Sequence, residues 1–554
     1  MNLKILFLSV SVLRCATLIG AGPDTIVSPL IRVADVRAKE PLAVLSIKSL
    51  DDLFGSACYL GAVTGKTRES VAAIFGMAPF LEGLDRGKPL GVTFDLVNGE
   101  PVMSVSLAVT DKDLAELLIE KHFEDPKSLA GGIKKIKISD SMPPVFLKIE
   151  EGWLHVATEI QRLNWIVSGA DELFGDHPEG QDIRISVRRL PLEIREMLLA
   201  TTRKRIEEAK AKRADGVAKE QSELVSRLSM DRLVRFLEQS DRMAIGIGVD
   251  QVSENIFIDF EVGAVPGSEL SEQFKGLGQA TTRFGGLDLP QRAFKLVQSQ
   301  PIAPSDIVPV KDVLAEARQS FKEGVQKGGK SQGAEEKERA ERMVDELFDV
   351  LLKTVEAGRV DSGLVVGLEP RDVRALVGIR VSDGARLEAL MKEAVAVGVK
   401  SDSASPFSMI KMNMDQHSGV NFHQLNLPTS EMGDGAGKLF GDRLQITLGT
   451  GADVILVAVG RDGVGMLKEM MRKSDGKGGE RVLPYDLQVF ASPMVGLASR
   501  LSPENKFVET VGDGGKYRGR DRFRVSARPV EDGVTVRLEM QTGAIQLISK
   551  LLAH

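Results

Sequence analysis

Apolar and polar residues alternate along this chain in a recurring order: strand, tight turn, strand, helix. In residues 89–121 Val92, Phe94 and Leu96 alternate with small or polar residues, and Asn98-Gly99 supplies the turn. Met103, Val105, Leu107 and Val109 then alternate again. Asp111 follows as an N-cap, and Leu114, Leu117 and Leu118 give one helical face. The same order is predicted at 241–277, with strands near 243–250 and 255–262 and a helix from Ser268. A third copy at 363–397 turns at Glu369-Pro370-Arg371, and a fourth at 522–552 turns at Asp532-Gly533. The copies share pattern rather than residues, and spacings of roughly 120–160 residues are too long for a solenoid or a propeller blade. The predicted class is therefore α+β: tandem modules of antiparallel sheet with helices packed on one face.

Further strands at 132–139, 144–158 and 182–189 are assigned to the first module, the second of these turning at Glu150-Glu151-Gly152. Strands at 420–428, 443–450 and 453–460 are assigned to the third. A helix face of Ile194, Met197 and Leu198 fades into the charged run 202–221, read as a solvated helix. The Gly-Gly-Lys-Ser-Gln-Gly stretch at 328–333 breaks one helix before another opens near Glu335. The expected division is 1–22 signal peptide, 23–189 first module, 190–328 helical segment and second module, 329–361 linker and helix, 362–480 third module, and 481–554 C-terminal ββα module.

Length and composition fit this picture. A chain of 554 residues with 43% apolar and 27% charged residues is globular and needs more than one core. A net charge of −6 offers nothing to attract nucleic acid. Three Tyr and two Trp are too few for an aromatic sugar-binding or single-strand-binding platform.

The N-terminus carries Lys4, the apolar run Ile5–Leu13 and the small residues Gly20, Ala21 and Gly22, the pattern of a cleaved export signal. Arg14 makes that run too short to cross a bilayer and stands where a lipoprotein signal needs a small residue before Cys15. The expected address is the periplasm or cell envelope, with no transmembrane segment in the mature chain. Cys58 is then the only thiol, so no intramolecular disulfide is possible, and its apolar setting reads as structural.

Three stretches invite a chemical reading. Gly61–Thr67, GAVTGKT, resembles a phosphate loop, yet the glycines are one residue too close and the stretch follows a helical pattern rather than a strand. Gly65 is read instead as a helix terminator. Residues 408–428 hold Met409, Met412, Met414, Asp415, His417 and His423. Met412, Met414, His417 and His423 are soft and borderline donors of the kind Cu(I) accepts, set against the plainer reading of loop methionines and a strand histidine. Ser474-x-x-Lys477 lies in a glycine-rich loop unsuited to a buried catalytic lysine. Zinc-hydrolase and serine-hydrolase motifs are not found, so neither catalytic residues nor a cofactor are assigned.

The phrases GWLHVAT, DIRISVRRLPLEIREMLLA, DRMAIGIGVD, GAVPGSELSEQF, RVDSGLVVGLEP, ADVILVAVGRDGV and DGVTVRLEMQTGAIQLI together resemble large exported proteins of unknown function from planctomycete-type bacteria. That resemblance implies a signal peptide, repeated α+β modules and no assigned activity. The expected role is non-catalytic binding or scaffolding, with an unknown protein or an apolar ligand as partner. A carrier with an apolar groove on a sheet, an enzyme whose site is assembled from distant residues, and a docking arm at 203–220 are the alternatives. The carrier reading predicts a contiguous apolar groove on a sheet covered on one side.

Overall fold

The computed structural model describes residues 41–68, 71–72, 83–97, 100–122, 126–137, 144–166, 170–175, 181–211, 232–328, 334–369, 372–401, 409–432, 434–475, 480–501 and 514–552. The expected signal peptide, the Asn98-Gly99 turn and the later part of the charged run lie outside these residues. The class is α+β. Two units form: residues 1–190 with 242–259, and residues 191–241 with 260–554.

The first unit contains β1 (Ala43–Ile47), β2 (Leu90–Val97), β3 (Glu100–Ala108), β4 (Lys127–Ser128), β5 (Lys134–Ile136), β6 (Val145–Glu150), β7 (Trp153–Ala157), β8 (Gln181–Ser186) and residues 242–250 of β9 (Ser240–Asp250). They pair antiparallel in the order β9-β8-β1-β2-β3-β7-β6-β5-β4. The expected 144–158 hairpin is present as β6 and β7, with Glu151 and Gly152 at positive φ in its turn.

Helices Ile160–Ile166 and Ala170–Gly175 cover one face of this sheet. Phe174 packs with Val44, Ala108 and Trp153, and Leu163 with Ala157. Gly91 is required here, because a Cβ at that position would come 2.1 Å from the Phe174 ring. Helix Lys112–His122 covers the other face at the β5–β6 end, where Ile119 meets Ile136, Val145 and Leu147.

Helix Leu50–Thr64 begins at Ser49, whose side chain accepts from the Asp52 N–H. It ends at Gly65, held at φ 76. Gly61–Thr64 of the apparent phosphate loop are thus the last turn of this helix.

The second unit contains residues 260–264 of β10 (Asn255–Ala264), then β11 (Arg292–Pro301), β12 (Arg359–Glu369), β13 (Asp372–Arg380), β14 (Ile410–His417), β15 (Val420–Pro428), β16 (Arg443–Thr450), β17 (Val454–Val459), β18 (Tyr485–Phe490), β19 (Arg522–Val530) and β20 (Gly533–Gln541). Ten of them form the antiparallel order β14-β15-β16-β17-β13-β12-β11-β18-β19-β20. β11 pairs with both β12 and β18, so strands expected in three modules share one sheet. The boundaries expected at 328, 361 and 480 do not separate sheets. Alternation identifies a strand and its two faces but carries no information about its distant neighbour.

The core of this sheet is built on Phe284, Leu287 and Leu289, which meet Val365, Leu376, Phe422, Leu456 and Ala458. Helix Gly463–Asp475 adds Leu467 and Met470 to the same face. Helices Pro304–Gly328 and Ala334–Glu356, around the expected linker, are tied together by Arg318 and Lys322 on Asp345, at 3.0 and 2.7 Å, and by Phe321 against Phe348. Among the described residues no helix is long and apolar enough to cross a membrane.

Candidate functional site

The methionine–histidine stretch forms β14 and β15, and its local geometry decides what His423 does. Register between the two strands breaks between Lys411 and Asp415, and Asn413 takes φ 49. The bulge aims the Asn413 N–H at His423 Nδ1, 3.0 Å away. Nδ1 must therefore accept, which leaves the ring proton on Nε2. Nε2 donates to Thr450 Oγ1 at 3.1 Å, and the Thr450 hydroxyl donates to Glu388 Oε2 at 2.9 Å. Glu388 also receives Asn421 Nδ2 at 3.0 Å and Lys392 Nζ at 2.5 Å.

His423 is 1% exposed, and burial lowers its imidazole below the ordinary value against the pull of Glu388. Burial works on the Glu388 carboxyl in the opposite sense, but hydrogen bonds from Lys392, Asn421 and Thr450 outweigh it and hold Glu388 below the usual carboxylate range. Glu388 belongs to helix Gly384–Ser401, which thus reaches the sheet face opposite the Phe422 core. Helices stand on both faces here.

Both nitrogens of His423 are engaged, so the ring offers no lone pair to a metal without breaking this chain of bonds. His417 lies opposite Val420, and residues opposite one another share a face. Val420 and His423, three apart on one strand, point to opposite faces. The two histidines are not brought together. Met412 is half-buried, Met414 exposed, and Asp415 is occupied by Lys468 Nζ at 2.7 Å. Among the described residues no three of His, Cys, Asp and Glu gather as a metal-holding group. The network is a structural clamp. Thr450→Val, which keeps the shape and removes the relay oxygen, is expected to cost about 1–3 kcal/mol in a denaturant titration followed by circular dichroism.

The first unit holds the feature with the clearest functional meaning: the helix-covered face of its sheet mixes buried polar groups with the Val44, Ala108, Trp153 and Phe174 cluster, while the other face is a continuous aliphatic surface. The face beneath helices Ile160–Ile166 and Ala170–Gly175 carries Ser46, Thr93, Ser104, Ser106 and His155, each at most 1% exposed. Thr93 and Ser104 hydroxyls meet at 2.5 Å, and Ser106 Oγ meets His155 Nδ1 at 2.9 Å. Asp95 on the same face takes Arg162 at 3.2 Å and Arg189 at 3.1 Å. His155 Nε2 has no hydrogen-bond partner among the described residues. Burial drives the imidazole down to about 4, with Glu150 raising it and Lys148 lowering it further.

The opposite face is aliphatic. Ile245, Ile183, Leu45, Val92, Val105, Val156 and Leu147 stand directly opposite one another in succession, one row across β9, β8, β1, β2, β3, β7 and β6. The next row contains Ile47, Leu90, Leu107, Leu154 and Ile149. Leu147 is buried under Ile119 at one end, but Ile183, Ile245 and Ile247 at the other are 45%, 42% and 47% exposed. Scattered exposed aliphatics need no explanation; a continuous row that ends in exposed isoleucines does.

Comparison with known protein families, with characterised proteins and with solved structures finds no match to this chain. What the chain is rests on its α+β architecture and on these two sites.

Proposed function

We propose that this chain is an exported, non-catalytic binding protein of the periplasm or cell envelope, and that the aliphatic face of its first unit is the surface on which a polypeptide partner docks. The observation that carries this reading is the row from Leu147 to Ile245, which runs from a covered end to an exposed one. Water-exposed isoleucines on β8 and β9 gain roughly 25 cal/mol for each Å² that a partner buries. The occupant is a polypeptide because aliphatic side chains in register form the kind of layer that a second sheet or an amphipathic helix covers in ordinary folds. A small apolar molecule is held instead in a concavity that encloses most of it. The export pattern at the N-terminus and the resemblance to exported planctomycete-type proteins are what support the proposed address.

The test is native mass spectrometry of the protein taken from its host's envelope without detergent. The wild type should carry a polypeptide of fixed mass, and Ile183→Glu/Ile245→Glu should lose it while Val252→Glu, at a 97% exposed position off the row, keeps it. A companion that survives the double substitution, or none on the wild type, overturns the reading.

A further inference from the structure

Residues 514–524 carry Lys516, Arg518, Arg520, Arg522 and Arg524 within eleven positions. Arg522 is neutralised by Glu539, and Arg524 by Asp486 at 2.7 Å. Lys516 and Arg518, on either side of Tyr517, have no such acidic partner among the described residues. Tyr517 ends the short turn Gly514–Tyr517, is 4% exposed, and packs its ring against Val495 and Leu547. Lys516 Nζ stands 4.9 Å from the ring centroid, and Lys550 Nζ, from helix Thr542–Leu552, stands 5.9 Å from it. Both lysine side chains hydrogen-bond the phenol oxygen. Lys516, Arg518 and Lys550 are exposed, and among the described residues none of the three meets a carboxylate.

An aromatic face attracts one ammonium group. It does not remove the repulsion between two that converge on the same oxygen, and elsewhere in this chain paired cations face an acid, as Arg318 and Lys322 do at Asp345. A buried phenol at this position is fixed in place, while the cations that meet it are free to turn outward to a ligand. We propose that Lys516, Lys550 and the Tyr517 hydroxyl form a binding site for a phosphate-type oxyanion, the phosphate or sulfate of a monoester or of a lipid headgroup. Both lysines donate to its oxygens, the phenol O–H donates a third hydrogen bond, and Arg518 adds to the attracting field. The phenol supports this assignment: burial would raise it, yet the two lysines hold it below its ordinary value. The site lies in the second unit and stands or falls independently of the docking face.

Calorimetric titration with inorganic phosphate in low-salt buffer tests it. Saturable binding is expected, weakening as sodium chloride rises, with affinity reduced on the order of tenfold by Lys516→Gln or Lys550→Gln and less by Tyr517→Phe. In phosphate-free, low-salt buffer the two lysine variants should melt no lower than the wild type, because each relieves repulsion. A lower melting temperature there makes the lysines ring-packing groups and overturns the proposal, as does phosphate binding that the double lysine variant retains. Flotation with phosphatidylglycerol vesicles, against phosphatidylcholine vesicles, identifies the source. Retention displaced by inorganic phosphate assigns a lipid headgroup; phosphate binding without retention assigns a soluble ester.

Discussion

Asp95→Leu is expected to destabilise the first unit by about 3–5 kcal/mol, the cost of removing one member of a buried ion pair. Asp95 is 7% exposed and accepts from Arg162, itself 9% exposed, and from Arg189. Leucine fits an apolar interior but strips a buried guanidinium of its carboxylate, and that loss dominates. Asp95→Leu/Arg162→Leu should regain much of the stability, since well-packed apolar residues often replace a buried pair at little cost. The chain supplies its own probe: its only two tryptophans, Trp153 and Trp165, both belong to the first unit. Urea titration followed by tryptophan fluorescence therefore reports this unit. A double variant no more stable than Asp95→Leu would mean that the aspartate acts through something other than the pair.

Acid should weaken the same unit through His155. Its folded-state value is lowered from 6.5 to about 4, so the unfolded chain takes up the proton first. Stability is fully present above about pH 6.5, falls as the pH drops from there towards 4, and levels off below. The shift corresponds to about 3 kcal/mol. His155→Gln keeps a polar partner for Ser106 and cannot titrate in this window. Its tryptophan-detected stability should be flatter between pH 7 and pH 4 than that of the wild type, and an unchanged slope would assign the acid loss to other groups.

Much of the local structure was legible in the sequence. Alternation placed β2, β3, β6, β7, β19 and β20, turn chemistry placed Glu151-Gly152 and Asp532, and Gly65 marked a helix end. Two things were not legible. The partner of β11 is one: pairing with β12 and β18 joins segments far apart in sequence, and a period of two says nothing about which strand lies alongside. The choice of covered face is the other. Val92, Phe94 and Leu96 alternate with Gly91, Thr93 and Asp95, yet the small polar set faces the helices, because Gly91 leaves room for the Phe174 ring.

The clamp around His423 was half legible. The histidine stood out, but Glu388 looks like any charge on a helix face, and only the bulge at Asn413 fixes the tautomer. The Tyr517 cations carry no motif in the sequence: Lys516 and Lys550 meet at one ring only because helix Thr542–Leu552 brings Lys550 there.

The central claim is that the aliphatic face of the first unit is covered by a partner in the native assembly. Carbene footprinting of the envelope-purified protein measures this directly, before and after dissociation in mild denaturant that leaves tryptophan fluorescence unchanged. Ile183, Ile245 and Ile247 should be protected in the assembly and labelled once the partner is released. Equal labelling of the three isoleucines in both states would show the face open to water in its native setting and would contradict the claim.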